Sequence, residues 1–586
     1  MFSQFRVSNV GSLTTSTYFI RIGVNFRHRI PFAEPFPKVV VVVSDRPVDR
    51  LIQMNEPNAP SRATYIALAL TATAWLVIGL VQREPWKADE AYSFGLVFSF
   101  FETNQWLVPT LAGEPFLEKP PLIFWIAAAL ARLSGSLVPI HEAARLSNVL
   151  IIISTFVMLA IAGSRAFGRV GAGAAVGLLA GAPAFLIFSR DLTADLGLFA
   201  GAALVSLGLI SLTRQTRDAG VLLGLGASVG LMSKGLLLPG ATGLACLILM
   251  IVSPIARNRA NLRQLAIAFG VFLVLGLAWP MALLIRSPNL FWVWFWDNNF
   301  ARFIGANRLG PANDRWHTLG IMSLVLLPVW PFAVAAVARS GSSLRNSPIV
   351  GPLIFALCWI GLLLASSTSR AGYALPALVP LAIVGAAAIV DIQARERKWL
   401  KLVLGWGAIA IVAGIVGAKL FFTYRHPFTV VGAGSFSAAT LVLAAAIALA
   451  WGLSVRSGAK PSALTLWVAM LTVSFAVAAS LFLPGANQKS GFRGVFGELA
   501  AHIDRRANCI ASRGLGEPER AMLHYYAGIR TRRFEINVAN AESCAVWIEQ
   551  QRAVDDSGQF GCIGAAEVWS GSRPEDHASV FRVCAR

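Results

Sequence analysis

Long apolar runs separated by short polar breaks dominate the chain between residues 63 and 483. A run of about 17–25 apolar residues is long enough to cross a bilayer as a helix. The pattern predicts spans near 63–81, 146–166, 170–188, 195–213, 219–233, 236–252, 263–286, 317–338, 350–366, 371–391, 400–422, 433–455 and 463–483. The stretch 122–138 is also apolar, but a crossing there would put every later arginine-rich break on the outer side. We therefore expect 119–138 to lie on, or dip into, the outer interface.

The composition and the placement of charge agree with a polytopic membrane protein. Of 586 residues, 56% are hydrophobic and 14% are charged, whereas globular domains carry about 25% charged residues. A net charge of +20 raises nucleic acid as a partner, but the basic residues do not cluster on one folded domain. They lie in breaks such as 257–263 and 395–401, as in cytoplasmic loops. We therefore expect membrane lipids, and no nucleic acid, as partners.

The chain divides into three parts. Residues 1–60 contain only a short apolar run, too short for a signal-peptide core. We expect either a disordered extension or an incorrectly assigned start, with translation beginning at Met54. Residues 61–483 form the predicted transmembrane domain, with outer loops 82–145 and 287–316. Spans that start on the inside place the tail, 484–586, on the periplasmic side.

The tail is polar, and short strand-like runs alternate in it with helical stretches, which predicts a small periplasmic α/β domain. It holds four of the six cysteines: Cys509, Cys544, Cys562 and Cys584. On an oxidising outer face these could form up to two disulfides, with three possible connectivities. The alternative is four unpaired thiols. Their spacing matches no zinc site.

The first predicted outer loop is rich in ionisable residues. It contains the adjacent acids Asp89 and Glu90 and, further along, Glu118 and Lys119. Because ionisable residues near a bilayer mark functional sites, we interpret Asp89 and Glu90 as catalytic. Adjacent helical residues point about 100° apart, so we expect Asp89 to face the acceptor and Glu90 to face elsewhere. The ordinary alternatives are a helix-capping acid and a lysine that snorkels towards headgroups.

Further polar residues fall on the same predicted side of the membrane. They are Asp195 before the fourth span, Lys234 at the end of the fifth, Arg302 in the second outer loop, and Arg370 and Tyr373 after the ninth span. A lysine is a compact charge that suits phosphate. The two arginines could add charge stabilisation. Asp195 could instead form a structural ion pair with the nearby arginine at 190.

Several motifs occur in the order found in a known family. They are Asp89-Glu90, Trp106-x-x-Pro109, Phe116-x-Glu118-Lys119-Pro120-Pro121-Leu122, Thr193-Ala194-Asp195, Ser233-Lys234-Gly235, Arg302-Phe303, Pro328-x-Trp330 and Ser369 to Pro376. Together they resemble the bacterial lipid A aminoarabinose transferases. This family belongs to the superfamily of polyprenyl-phosphate-sugar glycosyltransferases, which also includes protein O-mannosyltransferases. The resemblance runs from about residue 63 to the end of the chain.

The resemblance implies a polytopic α-helical membrane protein of GT-C type with about 13 transmembrane helices, and a sugar donor carried on polyprenyl phosphate. Asp89 matches the family's essential loop acid, and Lys119 and Lys234 match cations that hold the donor phosphate. Tyr373 matches a donor-site tyrosine. Glu118 matches an acid of the same cavity that is also a candidate ligand for a divalent metal.

The second outer loop departs from the family pattern. Close relatives carry His-Arg-x-Pro-Phe-Trp-Tyr-Tyr where this chain reads Pro311-Ala312-Asn313-Asp314-Arg315-Trp316-His317-Thr318. The family histidine is absent from its place, which weakens the case for a metal at Glu118. His317 stands where a tyrosine is usual, so acceptor or sugar preference is expected to differ.

The sequence therefore predicts an inverting, membrane-embedded glycosyltransferase of the bacterial inner membrane. Its donor is a polyprenyl-phosphate-linked sugar, and no cofactor is certain. Its acceptor is lipid A, lipopolysaccharide or another envelope glycolipid, with a protein acceptor as the alternative. A transporter for sugars or polyprenyl lipids is the alternative from another class. Such a protein is expected to show inverted repeats and charges near mid-bilayer, and neither is apparent in this sequence.

Overall fold

The structure, a computed structural model, describes residues 61–135, 137–307, 312–393, 398–425, 436–504, 507–552, 561–562, 564–574 and 579–586. The predictions for residues 1–60 lie outside this part of the chain, as do positions 308–311 of the second outer loop and the basic break at 394–397. From Arg62 onwards the chain forms one compact unit.

Helices make up the apolar part of the chain. They are α1 Arg62–Val77, α2 Ala88–Thr103, α3 Leu122–Leu133, α4 Ile140–Ala144, α5 Leu146–Ala180, α6 Pro183–Phe188, α7 Asp195–Thr213, α8 Ala219–Lys234, α9 Leu237–Val252, α10 Arg259–Val271, α11 Ala278–Arg286, α12 Pro288–Trp292, α13 Arg302–Ile304, α14 Arg315–Val325, α15 Val329–Ser340, α16 Val350–Ala365, α17 Leu378–Gln393, α18 Lys398–Arg425, α19 Ala438–Arg456 and α20 Ala463–Ser490. Short π-helical segments, Phe272–Gly276 and Val293–Ala301, and 3-10 turns, Gly341–Asn346 and Ala371–Ala377, connect some of them.

The predicted apolar segments coincide with helices, but not all are long enough to be spans by themselves. Among the described residues, six helices are long and apolar enough to cross a membrane, or up to seven if a pair bent by 90° counts as one span. Helices α8, α9 and α16 have 16 residues each. At 1.5 Å per residue such a helix is about 24 Å long, less than the roughly 30 Å hydrocarbon core. Several apolar helices establish a multi-pass membrane protein.

Many side chains on the outer surface of the helices are apolar. Val274, Ile285 and Leu449 are exposed by 70%, 83% and 64%. Large apolar side chains exposed in such numbers are typical of a surface that faces a bilayer. Helix α3, at 12 residues, buries one face through Phe124 and Ala128. It is too short to cross a bilayer by itself, and its position at the interface stays a prediction.

A fully buried carboxylate connects the start of the first loop to its end. Glu90 accepts hydrogen bonds from Arg83 at 2.6 Å and from Arg145 at 2.8 Å. The backbone N–H of Leu192 donates to the same carboxylate, and Arg83 also binds Asp191 at 2.5 Å. Burial alone would raise the pKa of Glu90, but the two arginines lower it below its usual value. The network therefore joins both ends of the loop to the turn before α7.

The tail forms a small sheet domain. After α20 come α21 Arg493–Ala501, β3 Ile510–Arg513, α22 Glu517–Ala527, β4 Arg532–Arg533, α23 Val538–Glu542, β5 Val546–Arg552, β6 Ala566–Gly571 and β7 Ser579–Ala585; β1 Thr110–Leu111 and β2 Glu114–Pro115 form a separate hairpin in the first loop. The tail strands lie in the order β4-β3-β5-β7-β6. Strand β3 runs parallel to β4 and β5, and β7 runs antiparallel to β5 and β6. The predicted α/β character is confirmed, although α20 continues through Pro484 to Ser490.

Two disulfides join the tail's cysteines in one of the three possible connectivities. Cys509 bonds to Cys544, and Cys562 bonds to Cys584. The bonds link the starts of β3 and β5 and tie the loop before β6 to β7. Cys246 and Cys358 stay unpaired and buried.

Helix α22 of the tail packs on α2 of the first loop. A Cβ at Gly95 would lie 2.5 Å from the Cβ of Ala521, so only glycine permits this approach. Arg520 donates to Glu114 of the hairpin at 2.7 Å. Further contacts across this interface are Arg530–Glu102, Arg493–Glu84 and His141–Tyr525. The tail is thereby docked on the helix that carries Asp89 in its first turn.

We expect Glu90→Gln to destabilise the protein strongly. Loss of one partner of a buried ion pair leaves an uncompensated charge, which costs roughly 3–5 kcal/mol. The unfolding temperature of the full-length protein in detergent measures the effect. The control is Asp218→Asn, which breaks the half-exposed pair with Arg165 and should cost about 1 kcal/mol or less. Equal unfolding temperatures for the two variants would contradict the structural role of Glu90.

The disulfide pairing predicts the pattern of thiol labelling. Alkylation of the denatured, unreduced protein should modify Cys246 and Cys358, and the four tail cysteines only after reduction, because a disulfide sulfur is not a nucleophile. Peptide mapping by mass spectrometry should recover the pairs 509–544 and 562–584. Labelling of the tail cysteines without reduction would rule out the bonds.

Candidate active site

All the candidate site residues singled out in the sequence except Glu90 meet at a single cavity of about 350 Å³. Its lining comes from the start of α2, the first loop, the turn before α7, the end of α8, the second loop, the 3-10 turn after α16 and the start of α22. The lining residues are Ala88, Asp89, Tyr92, Glu118, Lys119, Thr193, Ala194, Asp195, Lys234, Asn298, Arg302, Arg370, Tyr373, Glu517 and Pro518. Segments hundreds of residues apart in sequence therefore build one site.

Glu118 lies between two cations. Its carboxylate accepts hydrogen bonds from Lys119 at 2.6 Å and from Arg302 at 2.8 Å. Burial raises the pKa of Glu118, but Lys119 and Arg302 outweigh it and lower the pKa to about 2. Burial lowers the pKa of Lys119, but Tyr92 and Glu118 raise it well above its usual value. The cluster is therefore fully charged at neutral pH.

Lys234 connects the fifth predicted span to the turn before α7. It donates to Asp195 and lies over the ring of Tyr373, with 3.5 Å between its Nζ and the ring centroid. Gly235 ends α8 with a φ of +84°, and a Cβ there would clash with Asn299. The Ser-Lys-Gly motif therefore ends the helix directly after the lysine and holds its charge at the cavity.

Asp89 lies at the more exposed side of the cavity. Arg370 donates to both of its oxygens, at 3.3 and 3.2 Å, and the two side chains are about half exposed. Asp89 occupies the first turn of α2, near the N-terminal end of the helix dipole. Asp89 thus presents a charged, solvent-accessible carboxylate to an incoming molecule.

Glu90 does not line the cavity. Its side chain points to the opposite side, where Arg83 and Arg145 engage it and no surface is exposed. We therefore assign Glu90 a structural role that orients the start of α2. The predicted division between adjacent acids, with Asp89 towards the site and Glu90 elsewhere, matches this geometry.

Asp195 pairs with Lys234 and not with the arginine that sequence proximity suggested. Arg190 donates to the backbone carbonyls of Trp75 and Leu76 instead. It anchors α1 to the turn before α7. The short distance between Arg190 and Asp195 in sequence did not predict an ion pair, because the chain turns between the two residues.

Sequence reasoning missed Tyr92, Asn298 and Glu517 as cavity residues. Tyr92 lies one helical turn after Asp89, so helical spacing could have identified it. Asn298 is in the π-helical part of the second loop. No sequence signal links Glu517 to the site, because it belongs to the tail and reaches the cavity only through docking of α22.

The described residues do not fit a metal ion at Glu118. That carboxylate is already engaged by Lys119 and Arg302, two cations that would repel a metal. His317 is exposed at the start of α14 and does not line the cavity. Within the described ranges, the one cluster with metal-ligand spacing is Glu549, Cys562 and Cys584, whose two cysteines form a disulfide. No cofactor requirement is established.

The cavity suits a ligand that carries phosphate. Among the described residues, four cationic side chains line the cavity: Lys119, Lys234, Arg302 and Arg370. Lysine and arginine bind phosphate oxygens through charge-assisted hydrogen bonds. Four acids balance these cations, so a bound anion would compete with the existing ion pairs.

Comparisons with known proteins find similar sequences. Residues 118–292 match the model of the dolichyl-phosphate-mannose-protein mannosyltransferase family. The undecaprenyl phosphate-alpha-4-amino-4-deoxy-L-arabinose arabinosyl transferase of Serratia proteamaculans is 27% identical over 384 residues, which cover 62% of this chain and 67% of that protein. The corresponding enzyme of Aeromonas salmonicida is 26% identical over 60% of this chain and 66% of its own length. The matches thus span about two thirds of these relatives.

The fold matches a solved structure over nearly the whole chain. ArnT of Cupriavidus metallidurans bound to undecaprenyl phosphate superposes with a TM-score of 0.68 at 17% identity, covering 89% of this chain and 97% of that one. Its apo state gives a TM-score of 0.64 over the same shares. The resemblance inferred from the sequence motifs is thus confirmed: the chain is similar in sequence to the arabinosyl transferases and shares the fold of ArnT.

Proposed function

We propose that this protein transfers a sugar from a polyprenyl-phosphate donor to lipid A, lipopolysaccharide or another envelope glycolipid. The observation that carries the proposal is the single cavity that gathers Asp89, Lys119, Lys234 and Tyr373. These are the positions at which the sequence matches the family's loop acid and donor-site residues. The named activity of the relatives and the undecaprenyl phosphate in the ArnT structure support a donor of this type.

The chemistry follows from the charges of the cavity. A lipid phosphate is a good leaving group, so the departing oxygen needs charge stabilisation and no strong general acid. Lys119, Lys234, Arg302 and Arg370 supply it in a partly buried site, where such groups contribute a few kcal/mol each. Asp89, accessible beside Arg370, would orient the acceptor or accept its proton. One attacking group and no second nucleophile predict a direct displacement with inversion.

We also propose that the chain crosses the bacterial inner membrane about 13 times, with the cavity and the tail on the periplasmic side. The shorter helices α8, α9 and α16 can cross where neighbouring helices or a locally thinner bilayer accommodate them. The disulfides of the tail favour an oxidising compartment. We likewise propose that the transmembrane domain ends and the periplasmic tail begins at about residue 484.

A protein O-mannosyltransferase-like activity is the second candidate. The family model that matches residues 118–292 is named for mannosyl transfer to protein. The two candidates share donor chemistry and differ in the acceptor. Mass spectrometry of glycolipids and of secreted proteins from the same cells distinguishes the two candidates by which of them carries the sugar. If the protein were a transporter, Asp89→Asn would change the sugar content of neither.

We expect Asp89→Asn to abolish transfer while the protein folds normally. The substitution keeps the size of the side chain and removes the charge that faces the acceptor. Envelope glycolipids from cells with the wild-type chain, a deletion and Asp89→Asn are compared by mass spectrometry. One sugar mass should vanish in both mutants, whereas Asp218→Asn should retain it. Near-normal modification in Asp89→Asn would contradict the proposed role.

We expect Lys234→Met to weaken binding of undecaprenyl phosphate by about tenfold or more, because a hydrogen bond to a charged group contributes roughly 1.5–3 kcal/mol. Titration of the purified full-length protein with undecaprenyl phosphate in detergent, followed by tryptophan fluorescence, measures the Kd. The matched control is Lys460→Met, an exposed lysine outside the cavity lining. An unchanged Kd in Lys234→Met would remove this residue from the donor site.

A further inference from the structure

One acid of the cavity differs from the other three. Asp89, Glu118 and Asp195 each pair with a cation of the cavity. Glu517 lines the same cavity but forms no hydrogen bond or ion pair with any described residue. It is the first residue of α22. The dipole of that helix favours an acid at this position, but it does not require the acid to line a polar cavity.

The docking of the tail fixes the position of Glu517. Three residues along α22, Arg520 is 7% exposed at its side chain and binds Glu114 at 2.7 Å. One residue further, Ala521 packs against Gly95 of α2. Because α2 also carries Asp89 and Tyr92, the start of α22 and the start of α2 form neighbouring parts of the same wall. The tail therefore contributes a fixed carboxylate to the site.

The surroundings of Glu517 suit a proton acceptor. Burial and the charge of Glu118 raise the pKa of Glu517 above its usual value, while Arg520, Lys119 and Arg533 lower it to a smaller extent. A carboxylate is a better base when its pKa lies closer to the working pH. Asp89, in contrast, is held in an ion pair by Arg370.

We propose that the acceptor presents a hydroxyl group, and not a phosphate, to this cavity, and that Glu517 accepts the proton of that hydroxyl. The inference rests on the proposed function and names its acceptor class. A carboxylate without a cation partner can accept a hydrogen bond from a neutral hydroxyl, whereas an ionised phosphate acceptor has no proton to donate to it. An ionised phosphate acceptor also needs no base, so only a hydroxyl acceptor would use this carboxylate as one.

The step balances without a further reactant. The hydroxyl oxygen forms a bond to the anomeric carbon as the bond from that carbon to the donor phosphate oxygen breaks. The electron pair of the broken bond leaves with the polyprenyl phosphate, and the hydroxyl proton moves to the carboxylate of Glu517. Asp89 then orients the acceptor, and the cations stabilise the departing phosphate.

The test combines the linkage of the product with the rate of transfer. Glycolipids modified by the wild-type chain are treated with mild acid, which cleaves glycosyl phosphates and leaves ordinary glycosides intact. Transfer rates are measured from about pH 5 to 8, which lies above the ordinary carboxyl pKa. The proteins compared are full-length wild type, Glu517→Gln and Glu517→Asp in membrane vesicles. Phosphatase-treated glycolipid extract from the deletion strain serves as acceptor. Glu498→Gln, an exposed acid on α21, is the matched control.

We expect an acid-stable product and continued transfer to the phosphatase-treated extract. Glu517→Gln should lower kcat by about 10²-fold or more, the usual contribution of a positioned base. Undecaprenyl phosphate binding should stay unchanged, which shows that the variant is folded. Glu517→Asp should retain part of the rate and shift its fall at low pH, where the carboxyl is protonated. Glu498→Gln should match the wild type.

Other outcomes overturn the inference. An acid-labile sugar, or a loss of transfer after phosphatase treatment, would identify a phosphate acceptor. A normal kcat in Glu517→Gln would exclude Glu517 as the base. A raised KM for the donor with an unchanged kcat would mean that Glu517 contacts the sugar of the donor instead. A wild-type chain that transfers no sugar at all would overturn the proposed function itself, which separates the two failures.

Discussion

The geometry of the cavity depends on the buried carboxylate of Glu90. It holds Arg83 and Arg145, which lie at opposite ends of the first loop, and it binds the backbone of the turn before α7. A buried charge is costly unless its partners satisfy it, so the loop has few arrangements that keep all three groups in place. Since Asp89 is the preceding residue of the same helix, this constraint also fixes the acid that faces the cavity.

The near balance of charge in the cavity has a consequence for binding. Lys119 and Arg302 share Glu118, and Lys234 binds Asp195, so the cations are held in position before any phosphate arrives. Preorganised charges stabilise a developing anion without the cost of reorganisation. A donor phosphate, bound as proposed, would have to compete with these carboxylates, which would limit its ground-state affinity. The arrangement is therefore suited to stabilising negative charge that develops on a leaving phosphate oxygen during reaction, more than the charge that a bound phosphate already carries.

The sequence predicted those features that depend on local pattern. Apolar runs located the helices, and motif order located Asp89, Lys119 and Lys234, because such signals need only neighbouring residues. The partner of Asp195 could not be predicted, since ion pairs depend on how helices pack. The disulfide connectivity was open for the same reason: four cysteines allow three pairings, and only the sheet order brings Cys509 beside Cys544.

Glu517 shows where sequence reasoning ends and what the tail adds. It lies about 430 residues after Asp89, and no periodicity or motif connects two such distant positions. The connection comes from α22, which packs so closely on α2 that a glycine is required at residue 95. A wall made from two domains is complete only when they are docked. The tail is therefore part of the cavity wall, and substitutions in α22 can change that wall without altering Asp89, Lys119 or Lys234.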